Sequence, residues 1–207
     1  MNENEILVEG INFIQEKYPN YDRDKFIDDV ENIKYSVQML EKLNINISDI
    51  FFMIIFDTLI GNSDRHHSNW GYITCLDNYK SFCPLYDNGS SLCSYVNEVD
   101  IKTILKDRNR YNALVDTKSK SCIGWDDIRP IRHFELLYKI RKNYYNETIA
   151  FVNRINEKIT EEAIKNILSK FSDEIISSEK KELLLKFIID RKIKIVKIFD
   201  LEVINNE

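Results

Sequence analysis

Two polar stretches, LIGNSDRHHSNWG at Leu59–Gly71 and PLYDNGSSL at Pro84–Leu92, carry the strongest structural signals in this sequence. The first follows Asp49–Ile60, in which nine of twelve residues are apolar, a composition typical of a helix buried on nearly every side. Ser48 is a suitable N-cap for that helix, and the turn residues Gly61–Asp64 would end it.

The segment between the two polar stretches predicts a β-hairpin. Trp70–Cys75 and Ser81–Leu85 are predicted strands, and Asp77-Asn78 supplies a turn between them. Because an antiparallel hairpin brings its outer ends together, we expect Asn69 and Asp87 to be neighbours in space. Two oxygen ligands brought together in this way suit a hard cation such as Mg²⁺.

The spacing of the acidic and amide residues matches the needs of phosphoryl transfer. Asp64 lies five residues before Asn69, and this D-x-x-x-x-N spacing is that of the protein-kinase catalytic loop. Asp87-Asn88-Gly89 fits the D-x-G motif whose Asp holds Mg²⁺ on the phosphates. Phosphoryl transfer depends mainly on positioning and charge neutralisation, so one carboxylate must aim the nucleophile while two oxygen ligands hold the metal.

Each motif also has a purely structural interpretation. The D-x-x-x-x-N spacing arises often by chance, Asp64 suits a helix-end turn, and Asn88-Gly89 suits a tight turn. The pair His66-His67 could lie on the surface or bind a transition metal. The joint order of buried helix, D-x-x-x-x-N, hairpin and D-x-G favours the kinase interpretation over coincidence.

Helical patterns flank this central region on both sides. The first 47 residues predict helices, one ending at Tyr18-Pro19-Asn20 and an amphipathic one with apolar residues from Phe26 to Leu43. Residues 86–125 predict a loop with one short helix at about Glu98–Leu105.

From Ile131 onward the pattern is helical again, with a helix start at Thr160. The last helix, about Ser178–Val203, carries many Lys and Arg residues, which we interpret as a solvated face rather than a binding patch.

Composition bounds the class of protein. The chain has 207 residues with 43% hydrophobic and 30% charged residues, as expected for one globular domain or two small lobes. Its net charge of −5 argues against general binding to nucleic acids or membrane surfaces. No apolar run is long enough to span a membrane and the first residues lack a basic start, so we expect a cytoplasmic protein. The cysteines at positions 75, 83, 93 and 122 form no C-x-x-C motif and are expected to be free buried thiols.

The stretches Leu59–Gly71 and Pro84–Leu92 resemble the C-terminal domain of HipA-like kinases, which are bacterial serine/threonine kinases and often the toxins of toxin–antitoxin pairs. A weaker likeness runs to phosphatidylinositol-kinase-like kinases, which share the D-R-H-x-x-N and D-x-G motifs. The resemblance implies a protein-kinase-like C-lobe that is mostly α with a small β-hairpin. We predict a single domain over residues 1–207, with N-terminal helices in 1–47, the site region in 48–92, and a loop plus C-terminal helices in 93–207.

This resemblance assigns a role to each candidate site residue. It makes Asp64 the catalytic Asp. It makes Asn69 and Asp87 the ligands of a Mg²⁺ or Mn²⁺ ion, and these two residues would bind ATP together with that ion. His66 stands two residues after the Asp, where ordinary protein kinases often carry Lys, and is expected to contact the γ-phosphate or to stabilise the loop. His67 has no clear counterpart in the family and is not included in the predicted site.

The sequence also departs from a complete kinase. Its five glycines lie at positions 10, 61, 71, 89 and 124, so no phosphate-covering G-x-G-x-x-G loop is present. The roughly 60 residues before the catalytic loop predict helix instead of a five-stranded N-lobe. We therefore expect a C-lobe alone, which is a truncated product, half of a split kinase or a degenerate relative.

Three functions remain open at this stage. The first is ATP- and Mg²⁺-dependent phosphoryl transfer to protein Ser or Thr, with a separate N-lobe or an antitoxin protein as partner and no direct contact with nucleic acid or membrane. The alternative is a non-catalytic lobe that serves as a partner-binding or regulatory module. A neighbouring reading frame encoding a small β-rich protein with a Gly-rich loop would favour the split enzyme. The third, another kind of Mg²⁺-dependent hydrolase or phosphotransferase, would need a different nucleophile, and no G-x-S-x-G motif is present.

Overall fold

The computed structural model describes residues 5–22, 34–75 and 80–204 of the chain. Within these ranges it is mostly helical, with one three-stranded and one two-stranded antiparallel sheet. The strands are β1 (Glu5–Glu9), β2 (Gly71–Cys75), β3 (Lys80–Phe82), β4 (Lys120–Ser121) and β5 (Ile131–Arg132). The helices are α1 (Gly10–Lys17), α2 (Val37–Leu40), α3 (Ile47–Ile60), α4 (Glu98–Lys106), α5 (Arg108–Asp116), α6 (His133–Asn143), α7 (Tyr145–Lys158), α8 (Glu161–Leu168) and α9 (Ser178–Ile198).

Helix α3 is the predicted buried helix, and its position is confirmed. It begins two residues earlier than expected, because Asn46 is the N-cap and its side chain accepts a hydrogen bond from the Ser48 backbone N–H; the expectation of Ser48 as N-cap was wrong. Gly61 ends it in the left-handed region at φ 70°. One side of α3 packs in a core with α1, α2 and Trp70, and the other side packs against α6, α7 and α9.

The predicted hairpin forms, but it belongs to a larger sheet. Strands β2 and β3 pair antiparallel, with Tyr72 opposite Phe82. Strand β3 is shorter than the predicted Ser81–Leu85 and ends at Phe82. Pro84 follows soon after, and because a proline has no N–H to donate to the ladder, the strand does not continue through it. The predicted turn at Asp77-Asn78 lies outside the described residues.

Strand β1 pairs antiparallel with the other edge of β2, so the prediction that the chain begins with helix was wrong for Glu5–Glu9. Helix α1 follows at once and ends at Lys17 with Tyr18 as its C-cap, in agreement with the stop predicted at Tyr18-Pro19-Asn20. The junction needs a glycine, because a Cβ at Gly10 would lie 2.2 Å from the Trp70 ring. Its backbone N–H donates to the Trp70 carbonyl over 2.8 Å, so the junction of β1 and α1 is fixed against the polar loop before β2.

Other predicted elements have mixed outcomes. The first eight residues of the amphipathic helix predicted from Phe26 to Leu43 lie outside the described residues, and the prediction was wrong for the rest, where only the single turn α2 is helical. Helix α4 was predicted, whereas α5 was missed in a segment taken as loop. Asp107 caps α5 by accepting from the backbone N–H groups of Asn109 and Arg110.

Cys83, Cys93 and Cys122 are free thiols, of which only Cys93 is buried.

Thr160 caps α8 as expected, and α9 ends five residues earlier than predicted. The interpretation of its basic residues as a solvated face was wrong for Arg191 and Lys192, which are 1% and 3% exposed. Arg191 donates to the carbonyl of Thr58 at 2.6 Å and to that of Val115, which lie in the last turns of α3 and α5. The buried cation therefore sits at the negative ends of two helix dipoles, which explains how its charge is tolerated. None of the helices in the described part of the chain has the length and apolar composition of a membrane span.

Replacing Arg191 by methionine is expected to lower the free energy of unfolding by about 2 kcal/mol. The apolar side chain fills similar space but removes the hydrogen bonds that cap α3 and α5. Urea unfolding followed by circular dichroism measures this change. Lys197→Met, an exposed position on the same helix, is the control and should unfold with the parent. Equal midpoints for the two variants would show that Arg191 does not join the helices.

Candidate active site

The four residues predicted for the site lie in two adjacent loops. Asp64, His66 and Asn69 lie in the loop that joins α3 to β2, which we call the catalytic loop (residues 61–69). Asp87 lies in the loop after β3, which we call the metal loop (residues 83–92). Asp64 and Asp87 are exposed, His66 is half-buried, and Asn69 is buried. Most of the catalytic loop is buried, and Ser63 and Asp64 are its exposed residues.

Hydrogen bonds within the catalytic loop fix the backbone of Asp64, and none among the described residues involves its carboxylate. The Asp64 backbone N–H donates to Asn62 Oδ1 at 3.1 Å, and the Asp64 carbonyl accepts from Asn69 Nδ2 at 2.8 Å. This hydrogen bond from Nδ2 fixes the orientation of the Asn69 side-chain amide. Among the described residues, no donor occupies its Oδ1, which therefore stays available as an oxygen ligand.

A buried ion pair lies behind the catalytic loop. Asp57, on α3, accepts two hydrogen bonds from Arg65, at 2.9 Å to Oδ2 and 2.8 Å to Oδ1, and a third from Asn62 at 3.1 Å. The two charged side chains are 5% and 2% exposed. Burial raises the pKa of the Asp57 carboxyl, and the hydrogen bonds from Arg65 act against that rise. Removing one partner would leave an uncompensated charge in the interior.

Arg65 also joins the catalytic loop to the metal loop. Its NH1 group donates to the Asn69 carbonyl at 2.7 Å and to the Tyr86 carbonyl at 2.6 Å. Its NH2 group donates to Asn88 Oδ1 at 2.5 Å. With the two bonds to Asp57, all five N–H donors of the guanidinium are used. The predicted meeting of the outer ends of the hairpin is thus seen, because residue 69 and the residue before Asp87 bind the same nitrogen.

Further contacts fix the conformation of the metal loop. The Tyr86 hydroxyl donates to the Ser68 carbonyl at 3.0 Å, and the Ser63 backbone N–H donates to the Ser90 carbonyl at 3.3 Å. Asp87 itself is in the left-handed region, at φ 49°. A non-glycine residue held there costs of the order of 1–3 kcal/mol, and such strain is typical of functional loops.

The two histidines play different parts. His66 Nδ1 accepts a hydrogen bond from the Ser68 backbone N–H at 3.1 Å, so in its neutral form the ring carries its proton on Nε2. His67 is buried, and its ring packs edge-on against Tyr21 and Tyr35, at centroid distances of 5.7 Å and 6.1 Å. His66 is therefore part of the loop beside Asp64, whereas His67 belongs to the packing beneath it.

The donor types available here suit a hard cation. Asn69 Oδ1 and the Asp87 carboxylate are oxygen ligands of the kind that Mg²⁺ and Mn²⁺ prefer. Across residues 5–22, 34–75 and 80–204, no three His, Cys, Asp or Glu side chains lie together as a metal cluster. A cation at this site would therefore need oxygens from a ligand such as a nucleotide phosphate.

Sequence reasoning missed Asp57 and Arg65, although a signal was present. Asp57 interrupts an otherwise apolar helix, and a buried carboxylate requires a cationic or hydrogen-bonding partner. Arg65 lies directly after the predicted catalytic Asp, and on sequence grounds it is only one residue of the D-R-H-x-x-N motif. Residue types alone do not show that its guanidinium faces inward to both loops.

Comparisons with known proteins agree with a kinase-type fold. The chain is 24% identical over 170 residues to the serine/threonine-protein kinase CtkA of Helicobacter pylori, a match that covers 81% of this chain and 51% of CtkA. It therefore spans about half the length of this curated relative. The crystal structure of the H. pylori proinflammatory kinase CtkA matches with a TM-score of 0.77 at 20% identity, over 96% of this chain and 71% of that one. No protein-family model matches the chain.

Proposed function

We propose that this chain is the catalytic lobe of an ATP- and Mg²⁺-dependent protein kinase that phosphorylates serine or threonine. The observation that carries the proposal is the guanidinium of Arg65, which binds the Asp64–Asn69 loop and the Asp87 loop at the same time. The similarity to the kinase CtkA supports it. The narrower assignment to HipA-like kinases, and with it a role as the toxin of a toxin–antitoxin pair, rests on the resemblance of the two polar stretches.

In this proposal Asp64 acts on the nucleophile. Its exposed carboxylate orients the hydroxyl of the acceptor and takes the proton as the oxygen bonds to the γ-phosphorus, while the bond from that phosphorus to the β-bridging oxygen breaks and ADP leaves. His66 lies two residues after Asp64 in the same loop, where the Ser68 backbone N–H donates to its Nδ1. We propose that its imidazole ring contacts an oxygen of the transferred phosphoryl group.

Asn69 and Asp87 are the residues that would hold the cation with ATP. Bound there, Mg²⁺ or Mn²⁺ would neutralise charge that develops on the phosphates. The chain's own contribution is to present Asn69 Oδ1 and the carboxylate of Asp87, whose backbone is in the left-handed region, from two loops that Arg65 connects.

Asp87→Ala is expected to weaken the binding of Mn²⁺ with ATP by at least about tenfold, because it removes the charged ligand of the pair. Isothermal titration calorimetry of parent and variant measures the effect. Glu157→Ala, which removes an exposed carboxylate on α7, is the control and should bind as the parent does. Equal affinity in the parent and Asp87→Ala would exclude Asp87 from the site.

A second lobe is part of the proposal. The five glycines of the chain form no phosphate-covering loop, and the strands described here make only the small sheet β1–β2–β3 and the β4–β5 pair. We propose that the phosphate-covering loop and its Lys come from a separate N-lobe, in another segment or another chain. The same observation favours the second candidate function, a non-catalytic lobe that binds a partner protein.

A further inference from the structure

A groove of about 580 Å³ lies between α4, α5 and the segment that follows the metal loop. Its apolar wall includes Val96, Ile104 and Leu114. Tyr95 lines it as well, with 48% of its surface exposed. Burial of the remainder raises the pKa of Tyr95 to about 12, so its phenol is a neutral O–H donor at neutral pH. The groove thus combines an apolar wall with a polar edge, as a peptide-binding groove does.

Both sides of the groove connect to the catalytic loop through short links. On one side, the backbone N–H of Leu92, three residues before Tyr95, donates to the Ile60 carbonyl at 2.8 Å. On the other side, Ser119 follows the groove residue Lys118, and its Oγ lies 3.3 Å from the point where a Cβ on Gly61 would stand. Gly61 is the first residue of the catalytic loop. Short stretches of chain therefore join both sides of the groove to the start of the catalytic loop.

The charged residues that line this groove are two cations and one acid, although the whole chain has a net charge of −5. Lys118 and Arg110 line it, and Lys180 donates to the Cys93 carbonyl beside it at 2.7 Å. The buried Arg191 lies close enough to Tyr95 to interact with it electrostatically. Asp100 is an acidic lining residue, while Asp107, 3.5 Å from Arg110, also caps α5. Arg110 is shared with Asp107, so the exposed Lys118 is the lining cation that offers its charge to an anionic ligand.

We propose that this groove binds the acceptor segment of the protein substrate, as an extended peptide with an apolar side chain flanked by acidic residues. The apolar side chain lies against Val96, Ile104 and Leu114, and the acidic residues face Lys118 and Arg110. This assignment rests on the proposed function, since it names the substrate class of that same site. It adds what the two loops alone do not determine, which is the sequence around the phosphorylated Ser or Thr.

The test uses the whole chain and two pools of fluorescein-labelled peptides, each centred on serine with degenerate apolar positions. One pool has Asp and Glu at the remaining positions, and the other has Lys and Arg. Fluorescence anisotropy is expected to show binding of the acidic pool that is about tenfold tighter than that of the basic pool. Lys118→Glu should remove this preference, and Ala113→Trp, which fills the groove from α5, should weaken binding of the acidic pool.

Arg154→Glu, the same change of charge at an exposed site on α7, is the matched control and should bind as the parent does. A thermal transition measured for each variant checks folding, and Lys118→Glu carries the test if Ala113→Trp fails to fold. Absent binding at about 1 mM protein, or equal preference in the parent and Lys118→Glu, would overturn the groove assignment.

These measurements need neither ATP nor phosphoryl transfer. Selective binding by a chain that shows no kinase activity even when a separate N-lobe is supplied would support the groove and contradict only the proposed function. Phosphorylation of the two pools that depends on Asp64 but is indifferent to Lys118 would contradict only the groove.

Discussion

Replacing Arg65 by glutamine is expected to lower the free energy of unfolding by about 3–5 kcal/mol, a large part of the roughly 5–15 kcal/mol of a typical domain. The substitution leaves the Asp57 carboxylate in the interior, 5% exposed, without its cationic partner. It also removes the donors that join the carbonyls of Asn69 and Tyr86 to one side chain. Urea unfolding followed by circular dichroism measures the loss of stability.

A double variant distinguishes the effect of the buried charges on stability from the effect of the Arg65 hydrogen bonds that connect the two loops. Arg65→Gln combined with Asp57→Asn removes both buried charges and should recover part of the lost stability. It should not recover binding of Mn²⁺ with ATP, because glutamine cannot reach Asn69, Tyr86 and Asn88 together. Arg65→Lys keeps the charge but not the planar fork of donors, so it should also bind the nucleotide weakly. Nucleotide binding at the parental level in both variants would show that Arg65 serves stability alone.

The parts of the fold that the sequence predicted are those set by local signals. Helix α3 was predicted from the apolar run and from the Gly61 stop, and the hairpin strand β2 from its aromatic and β-branched residues. Strand β1 was missed because its five residues carry little signal alone. They are a strand because they pair with β2, more than sixty residues later in the chain, with Glu9 opposite Gly71.

In the candidate site, too, features set by the local sequence could be predicted, whereas features set by distant contacts could not. The spacing of Asp64, Asn69 and Asp87 could be identified from residue types alone. The inward orientation of Arg65 could not, because most arginines are exposed and only the folded partners reveal the exception. Arg191 was assigned to a solvated face for the same reason, although it caps two helices from the interior.

Asp64→Ala is expected to leave the fold nearly unchanged while it removes catalysis. The hydrogen bonds that fix this residue use its backbone N–H and carbonyl, and its side chain is exposed, so the stability should change by less than about 0.5 kcal/mol. Loss of the thermal transition in this variant would make the residue structural. A positioned general base typically contributes about 10²- to 10⁴-fold to a rate, which is the fall expected in phosphorylation by the complete enzyme. Ser63→Ala, at the exposed neighbouring position, is the control and should keep its activity.

The isolated chain is expected to show very low kinase activity even with Asp64 in place. Phosphoryl transfer requires several charge-neutralising groups at once, and this chain supplies Asp64, Asn69 and Asp87 but no Gly-rich loop. A nucleotide held by one lobe stays open to water, which weakens each electrostatic contact that would stabilise the transition state. Radiolabelled ATP with the pure chain measures the activity directly, and a separate N-lobe should restore it. Robust phosphorylation by the pure chain that disappears in Asp64→Ala would remove the need for a second lobe and strengthen the assignment as an enzyme, because the described loops would then suffice for the chemistry.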